Sequence, residues 1–423
     1  MEKKKNTPKL RFPEFTGEWE EKKLGEIYSF KTTNSYSRDK LNYEEGNVKN
    51  IHYGDIHKKF NSLFDITNEL VPFVNKEISL SKLTEDDYCK EGDLIIADAS
   101  EDYLDIGKAI ELVRLDNEKV IAGLHTLHAR PYLQKLSPGF GSHILKSDYV
   151  RLQIKMIAQG TKVLSITSSR LSDVFLILPL LPEQPKIATF LTAVDEKLTQ
   201  LKKKKTLLEQ YKKGVMQKLF SQELRFKDDN NQDFPDWQEK KLGEMISLVV
   251  DNRGKTPSTI DEGIPLLEIN SIGGKEINYN VVTKYVSEIT YVSWFRKYLE
   301  SGDVLFSTVG NTALCSYYTG EIKACVAQNI VGLRFKNEVS LFMYYLMIEE
   351  KNKIKFKQIE MGAVQPSIKV SQMIDLYFEV PNLSEQQKIA TFLSAIDEKI
   401  SHCGAQIEKM EAWKKGLLQQ MFC

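Results

Sequence analysis

The chain has 423 residues, of which 42% are hydrophobic and 27% charged, and its 58 Lys and Arg residues balance 58 Asp and Glu residues. This is a globular composition, and the length predicts two or three domains. Zero net charge excludes a general polycation, so any contact with nucleic acid would be confined to a local basic face.

The first residues, MEKKKNTPKL, have the basic start of a signal peptide, but no apolar region follows them. No stretch reaches 18 apolar residues, so we predict no membrane span and expect a cytoplasmic location. The cysteines are odd in number and lack CxxC spacing, which disfavours a disulfide framework or zinc ribbon and indicates reduced thiols: Cys89, Cys315, Cys325, Cys403 and Cys423.

After an N-terminal segment over 1–20, two variable blocks alternate with two helical blocks. The variable blocks, here called head 1 (21–180) and head 2 (223–380), contain short apolar runs such as DLIIA at 93–97, separated by turn-forming residues. A few helical stretches are mixed with these runs, for example at 341–356. The pattern predicts a mixed α+β domain in each head.

The helical blocks, 181–222 and 381–423, carry apolar residues at alternating spacings of four and three, which is the heptad seam of a coiled coil. Lys205 and Lys212 interrupt the first seam, and Lys414 interrupts the second. The 38-residue segments that align between the two blocks, 183–220 and 385–422, would each form a rod of roughly 57 Å. We expect the two helices to pack on each other rather than each on its own head.

The whole chain is a tandem duplication. The phrase EQPKIATFLTAVDEKL at 183–198 returns as EQQKIATFLSAIDEKI at 385–400, and the gapless alignment of 183–220 with 385–422 has 18 identities in 38 positions. Shorter motifs also return: EKKLGE at 21–26 and 239–244, EGDLII at 91–96 as SGDVLF at 301–306, and GTKVLSI at 160–166 as GAVQPSI at 362–368.

No catalytic motif is complete. RGKT at 253–256 lacks the first glycine of a P-loop, because Val249 stands at that position. Asp236, Glu239 and Lys241 imitate the carboxylate set of a metal-dependent nuclease, although their spacing is too tight for two adjacent strands. That alternative predicts Mg²⁺-dependent cutting by the isolated chain, lost on Asp236→Ala.

The histidines give no zinc site either. His52 with His57, and His125 with His128, would need two further ligands, and Glu268 and Gly273 stand opposite the first pair in the second repeat. We therefore predict loop or surface histidines, no metal site and no catalytic residue. A large duplicated architecture without a catalytic centre indicates a binding or scaffolding protein.

Two different heads on one repeated frame are typical of proteins that read two DNA half-sites. Candidate DNA contacts are polar residues where the repeat aligns but the side chains differ, since Arg, Lys, Asn and Gln pair with base edges while Ser, Thr and Lys hold phosphates. In head 1 these residues are Arg38, His52, Tyr53, Lys58, Lys59, Ser100, His125, Lys162 and Ser165. In head 2 they are Asn252, Arg253, Lys255, Asn270, Ser271, Lys275, Thr308, Asn311, Gln328, Asn329 and Gln365.

For any one of these residues the alternative is a solvated loop position. The basic run Lys202 to Lys205 is either a solvated helix face or a contact with DNA phosphate or an acidic partner.

With these motifs the chain resembles the specificity (S) subunit of type I restriction-modification enzymes, over essentially residues 10–423. The resemblance lies in the order variable–helix–variable–helix, the repeated K-L-G-E start, the GD-hydrophobic motif and the L-x-EQ-x-KIATFL-x-A-h-DEK helix. It implies two target-recognition domains, each reading one half of a bipartite double-stranded DNA target, and two antiparallel helices that set the gap between the halves.

The resemblance further implies a non-catalytic subunit that docks two methyltransferase subunits and joins endonuclease/translocase subunits. S-adenosylmethionine, ATP and Mg would then belong to those partners, and this chain would hold no cofactor. The residues expected to face the methyltransferase subunits are identical in both copies and lie largely off the seam: Glu183, Lys186, Phe190, Asp195, Lys197, Glu385, Lys388, Phe392, Asp397 and Lys399.

Two alternatives remain open for these residues and for the chain. The identities in the helices could preserve only helix packing, in which case changing Phe190 and Phe392 together would leave co-purification with the methyltransferase subunit intact. The chain could also be a coiled-coil scaffold that binds no DNA. Such a scaffold would bind its partners independently of salt, whereas DNA affinity falls steeply as salt rises.

Overall fold

The computed structural model describes residues 6–31, 33–132, 135–252, 256–362 and 364–423. The chain divides into two units. Unit 1 comprises Met1–Lys202 and Ala405–Cys423, and unit 2 comprises Lys203–Gly404. Each unit contains one head and a segment from each long helix.

Most strands and helices of unit 1 form head 1. Its strands are β1 (Glu20–Lys23), β2 (Tyr28–Lys31), β3 (Leu41–Asn42), β4 (Lys49–Ile51), β5 (Leu63–Asp65), β6 (Phe73–Val74), β7 (Leu94–Ala97), β8 (Ala99–Ser100), β9 (Ala109–Arg114), β10 (Val120–Ala122), β11 (Thr126–Pro131), β12 (Leu164–Ser165) and β13 (Phe175–Leu178). Its helices are α1 (Leu24–Ile27), α2 (Tyr53–Lys58), α3 (Phe140–Ile144), α4 (Asp148–Ile157), α5 (Ser168–Ser172), α6 (Gln184–Phe220) as far as Lys202, and the part of the last helix, α12 (Leu383–Met421), that begins at Ala405.

Most strands and helices of unit 2 form head 2. Its strands are β14 (Gln238–Lys241), β15 (Ile246–Asp251), β16 (Ile264–Leu267), β17 (Tyr285–Val286), β18 (Val304–Ser307), β19 (Cys315–Tyr317), β20 (Cys325–Val326), β21 (Ile330–Phe335) and β22 (Tyr377–Val380). Its helices are α7 (Leu242–Met245), α8 (Glu288–Trp294), α9 (Ser340–Ile348), α10 (Glu350–Gln358), α11 (Val370–Met373), the rest of α6, and α12 (Leu383–Met421) as far as Gly404.

The two heads repeat one sheet topology. In head 1 the main sheet has the order β2-β11-β7-β9-β5, and in head 2 the corresponding sheet has the order β15-β21-β18-β19. The parallel pair β4 and β10 of head 1 returns as the parallel pair β16 and β20 of head 2. The repeated EKKLGE motif forms β1 with α1 and β14 with α7, and each of these strands pairs antiparallel with the strand that leads into a long helix, β13 or β22.

Within each unit the two helix segments run antiparallel. In unit 1, Asp195 pairs with Lys414, and Lys202, further along α6, pairs with Glu411, which comes earlier in α12. The apolar seam residues are largely buried and join the core of their unit, for example Leu191 and Leu417 in unit 1. The predicted fold class, two mixed α/β domains with long coiled-coil helices in a repeated chain, is confirmed.

Among the described residues, no helix has both the length and the hydropathy that a membrane span requires.

Candidate nucleic-acid interface

Both heads have an equivalent sheet edge where paired strands end. In head 1 the backbone N–H of Asp98, just after β7, donates to the carbonyl oxygen of His125 at 3.1 Å, just before β11. In head 2 the backbone N–H of Thr308, just after β18, donates to the carbonyl of Asn329 at 2.8 Å, just before β21. Asp98 of head 1 and Thr308 of head 2 therefore occupy equivalent positions of the repeat, and so do His125 and Asn329.

A short hairpin lies on this edge in each head. Its closing pairs are Gln159 with Ser165 in head 1 and Met361 with Ser367 in head 2. The hairpin is fixed to the edge by a backbone bond of 2.8 Å in both heads, from Ile166 N–H to the Asp98 carbonyl and from Ile368 N–H to the Thr308 carbonyl. Residues 160–166 of head 1 and the described residues of the aligned segment in head 2, 362 and 364–368, thus form a repeated part of this surface.

In head 1 the edge carries a cluster of rings around Tyr53. The ring centroid of Tyr53 lies 4.7 Å from that of His52, 5.2 Å from that of His125 and 6.1 Å from that of His57. The Nδ1 atom of His125 lies 3.3 Å from Oδ1 of Asp98, and 51% of the His125 side chain is exposed. Three predicted contacts, His52, Tyr53 and His125, are thereby brought together.

His52 has a structural role in this cluster. It precedes α2, and its Nδ1 accepts a hydrogen bond from the backbone N–H of Gly54 at 3.1 Å. Burial and the charge of Arg38 lower the pKa of His52 to about 4. His52 is therefore neutral near pH 7, whereas His125 presents an exposed ring.

The other predicted contacts of head 1 are placed differently. Arg38 and Lys59 both pair with the buried carboxylate of Asp55, at 2.7 and 3.1 Å. Ser100 is buried, and its hydroxyl donates to the carbonyl of Asp102. Lys58 is exposed on α2, and Lys162 and Ser165 are exposed on the hairpin. Arg38 and Lys59 thus form an ion-pair group with Asp55. Lys162 and Ser165 lie on the hairpin at the sheet edge, and Ser100 pairs with that hairpin through β8 and β12.

In head 2 the edge opens into a polar cleft of about 430 Å³. The cleft is lined by four predicted contacts, Asn252, Gln328, Asn329 and Gln365, and by Glu268 and Lys284, which pair at 2.8 Å. Asn252 is 7% exposed and its Oδ1 accepts from the indole N–H of Trp294 at 3.2 Å. Among the described residues, the Asn252 Nδ2 and Asn329 Oδ1 atoms are buried without a hydrogen-bond partner.

The remaining predicted contacts of head 2 are not all at the cleft. Thr308 is buried beneath the edge, and Asn311 is exposed in the turn that follows β18. The Lys275 ammonium donates to the hydroxyl of Ser394 on α12 at 2.9 Å, so it faces the helix. Asn270 and Ser271 lie in a short 3₁₀ turn, where Ser271 is buried. Arg253 and Lys255 lie outside the described residues.

Sequence reasoning missed Asp98, which lies opposite His125, and Glu268, which lines the head 2 cleft. The signal for Asp98 was present, because extending the aligned motifs EGDLII and SGDVLF by two residues places Asp98 opposite Thr308. Burial raises the pKa of the Asp98 carboxyl.

The helix residues predicted to face a partner are mostly engaged within their own unit. Arg11 donates to both carboxylate oxygens of Glu183, at 2.8 and 2.6 Å, and Arg225 does the same to Glu385, at 3.1 and 2.8 Å. Both glutamates are 1% exposed. The segment that leads into each head is therefore anchored to the start of a long helix.

The neighbouring identical residues extend this anchor. Lys186 pairs with Glu14, and Lys388 pairs with Asp229 at 2.7 Å. Phe190 packs edge-on against Phe12 with ring centroids 6.0 Å apart, and Phe392 packs against Phe226 at 5.5 Å.

Asp195 and Asp397 pair with Lys414 and Lys212 on the other helix segment of their unit. Lys197 and Lys399 are exposed. These contacts give most of the identities a role in packing, and docking by this set stays a prediction.

The residues of the nuclease alternative do not converge. Asp236 is fully exposed and lies 3.8 Å from Arg225, and Lys241 pairs with Asp375. Glu239 lies on β14 opposite Glu379 of β22. Within the described ranges no group of three or more His, Cys, Asp or Glu side chains is arranged to hold a metal ion.

Comparison with known proteins gives the class of this fold and interface. Residues 16–210 and 235–412 match the family described as the type I restriction modification DNA specificity domain. The chain belongs to this family and contains its domain twice.

Relatives and solved structures agree along the chain. The chain is 25% identical over 437 residues to a putative type I restriction enzyme MjaX specificity subunit of Methanocaldococcus jannaschii, covering 98% of this chain and 95% of the relative. It is 26% identical over 291 residues to the MjaVIII specificity subunit of the same organism, covering 66% of this chain and 67% of that one.

The fold is similar to that of a type I restriction-modification S subunit from M. genitalium, with a TM-score of 0.61, 16% identity and 99% of both chains covered. It is also similar to a chain from a structure on complex assembly and conformational transition of the type I R-M system, with a TM-score of 0.54, 17% identity and coverage of 95% and 96%. The scaffold alternative without DNA is not favoured by these matches.

Proposed function

We propose that this chain is the DNA specificity subunit of a type I restriction-modification complex and is itself non-catalytic. Each head reads one half of a bipartite target on double-stranded DNA. The observation that carries the proposal is the family match over both heads, together with a repeated sheet edge that holds different polar side chains, His125 with Asp98 in head 1 and Asn329 with Thr308 in head 2.

The sheet edge has the chemistry for this task. Base edges in the major groove are read by side chains that offer hydrogen-bond donors and acceptors, and amides and exposed rings supply both. In head 2, amide side chains of Asn252, Gln328, Asn329 and Gln365 line one cleft. In head 1, His125 is half exposed beside the hairpin that carries the exposed Lys162, which suits a phosphate contact.

The helices would dock two methyltransferase subunits, one for each copy of the repeated phrase, and endonuclease/translocase subunits would join the same complex. S-adenosylmethionine, ATP and Mg would be bound by those partners. The repeat supports this arrangement because an exposed residue such as Lys197 recurs as Lys399, which offers equivalent surfaces to two copies of one partner.

The proposal is tested by a genome-wide map of methylated adenines in cells that co-express this chain with the methyltransferase subunit of its system, compared with cells that lack the chain. We expect a new split motif, two short half-sites around a fixed gap. Exchange of one head should change one half only. If no new methylation appears while the methyltransferase subunit still co-purifies with the chain, the proposal that the heads recognise DNA half-sites is wrong.

A further inference from the structure

We infer that His125 in head 1 and Asn329 in head 2 are specificity-determining residues, each contacting a base edge in the half-site that its own head reads. The inference rests on the proposed function and names the residues that give each half-site its sequence. Three observations carry it: a shared backbone position, dissimilar side chains, and the polar surroundings of each side chain.

The two residues occupy the same place in the repeat. Thr126, which follows His125, is opposite Ala97 in the β11–β7 register, and Ile330, which follows Asn329, is opposite Ser307 in the β21–β18 register. The carbonyl of His125 accepts from the N–H of Asp98 just as the carbonyl of Asn329 accepts from that of Thr308. The frame is held by backbone atoms rather than by these side chains. His125 has a φ of 54°, a left-handed conformation in which asparagine and histidine are both enriched, so His125→Asn suits the backbone there.

The side chains offer different hydrogen bonds. An amide donates and accepts at once, so Asn329 can pair with N7 and N6 of adenine. The imidazole of His125 offers one nitrogen to a base, because its Nδ1 lies 3.3 Å from Oδ1 of Asp98. Nδ1 lies next to the Asp98 carboxylate, so Nε2 is the nitrogen that remains for a base. Asp98 is thus a positioning residue for the ring.

The surroundings support contact with a ligand rather than a packing role. The His125 side chain is 51% exposed beside the ring of Tyr53. Asn329 lines the head 2 cleft with Gln328 and Gln365, and its buried Oδ1 has no hydrogen-bond partner among the described residues. An acceptor left without a partner is costly, and a base donor entering the cleft would relieve that cost.

The test exchanges the two side chains in the full chain, as His125→Asn and separately Asn329→His, each co-expressed with the methyltransferase subunit. Methylated adenines are then mapped. For each variant we expect methylation of the original target to fall at least tenfold, and the preferred base to change or broaden in one half-site only. The half that changes with His125→Asn should stay intact with Asn329→His, and the gap should stay the same in both.

The control is Gln238→His, which makes a matched amide-to-imidazole change at an exposed position of β14, outside the sheet edge. It should leave both half-sites unchanged. If either exchange lowers the midpoint of urea unfolding, His125→Gln and Asn329→Ser replace it, and the same one-half outcome is expected.

A motif that stays unchanged in both halves, or that changes in both halves with one substitution, would overturn the inference while leaving the proposed function in place. If the unaltered chain produces no split motif, the proposed function fails first, and the inference falls with it.

Discussion

The ammonium group of Lys212 lies 2.5 Å from the carboxylate of Asp397 in unit 2, and Lys414 contacts Asp195 in the same way in unit 1. Lys212 and Lys414 occupy equivalent positions of the repeat, and each interrupts the apolar seam of its helix, as Lys205 also does in the first helix. Lys212 and Lys414 therefore each have a carboxylate on the antiparallel segment, whereas Lys205 lies 4.0 Å from Glu209 of its own helix. A polar residue on a coiled-coil seam fixes the register of the two helices, which is the role we assign to these pairs.

Removing the cation of one pair should destabilise unit 2. In Lys212→Met, Asp397 keeps the hydroxyl of Tyr345 at 2.6 Å but loses its cation in a site where its side chain is only 14% exposed. We expect the free energy of unfolding to fall by about 3 kcal/mol, measured by urea denaturation. Lys213→Met, at the exposed neighbour, should change it by less than about 0.5 kcal/mol. Equal effects of the two substitutions would contradict the register role.

The anchor of each leading segment can be tested in unit 1. Arg11→Met leaves the buried carboxylate of Glu183 without its guanidinium, and we expect a loss of about 3 kcal/mol in the free energy of unfolding. Adding Glu183→Gln removes the unpaired charge and should restore part of that loss. A double variant as unstable as the sum of the two single variants would show that the residues do not interact.

Unit 1 should lose stability in mild acid because of His143. Burial and the charge of Lys146 lower the pKa of this histidine from 6.5 to about 3. At a pH between these two pKa values, the His143 ring is protonated in the unfolded chain and neutral in the folded chain. The free energy of unfolding therefore falls as the pH drops below about 6.5, with a slope of up to about 1.4 kcal/mol per pH unit.

Urea titrations at pH 7, 6 and 5 measure this slope in the natural chain and in His143→Asn. The variant should lose less stability between pH 7 and 5 than the natural chain does. The same slope in both chains would show that another group is responsible.

The partner surface is best tested at the exposed identical lysines. Lys197→Glu combined with Lys399→Glu reverses two charges that lie outside the packing contacts, so we expect co-purification with the methyltransferase subunit to be lost and the unfolding midpoint to stay unchanged. The control is Lys409→Glu, at an exposed lysine of α12 that aligns with Leu207 in the first copy and is therefore not repeated. The change of Phe190 with Phe392 should also abolish co-purification, but it removes ring contacts with Phe12 and Phe226 as well. Retained binding in the lysine double variant would place the docking surface elsewhere.

Two helix glycines should be open to stabilising substitution. A Cβ atom added at Gly214 or Gly416 meets nothing within 4 Å in the chain, although a glycine inside a helix costs about 1 kcal/mol relative to alanine. Gly214→Ala with Gly416→Ala should therefore raise the free energy of unfolding by about 1–2 kcal/mol. In contrast, Gly141→Ala should destabilise unit 1, because the new methyl group would collide with the hydroxyl of Tyr28. If the double variant is more stable but binds the methyltransferase subunit less tightly, a partner approaches the helices at these glycines.

The amino-acid sequence alone determined the duplication, the mixed α/β character of the heads and the two long helices. Identity between copies and a heptad period are properties of local sequence, so they can be recognised without knowledge of the tertiary contacts. The seam positions Leu191 and Leu393 were predicted in this way, and both are fully buried.

Only the tertiary structure decided which side chains meet across long separations. It placed Arg11 on Glu183, 172 residues away, and thereby gave a packing role to a residue that repetition alone suggested as a partner contact. It also brought Asp98 to His125 and opened the cleft around Asn329, because strand register joins residues whose spacing in the chain carries no period. Sequence patterns thus fixed the architecture, while the pairing of strands decided which polar residues face the candidate interface.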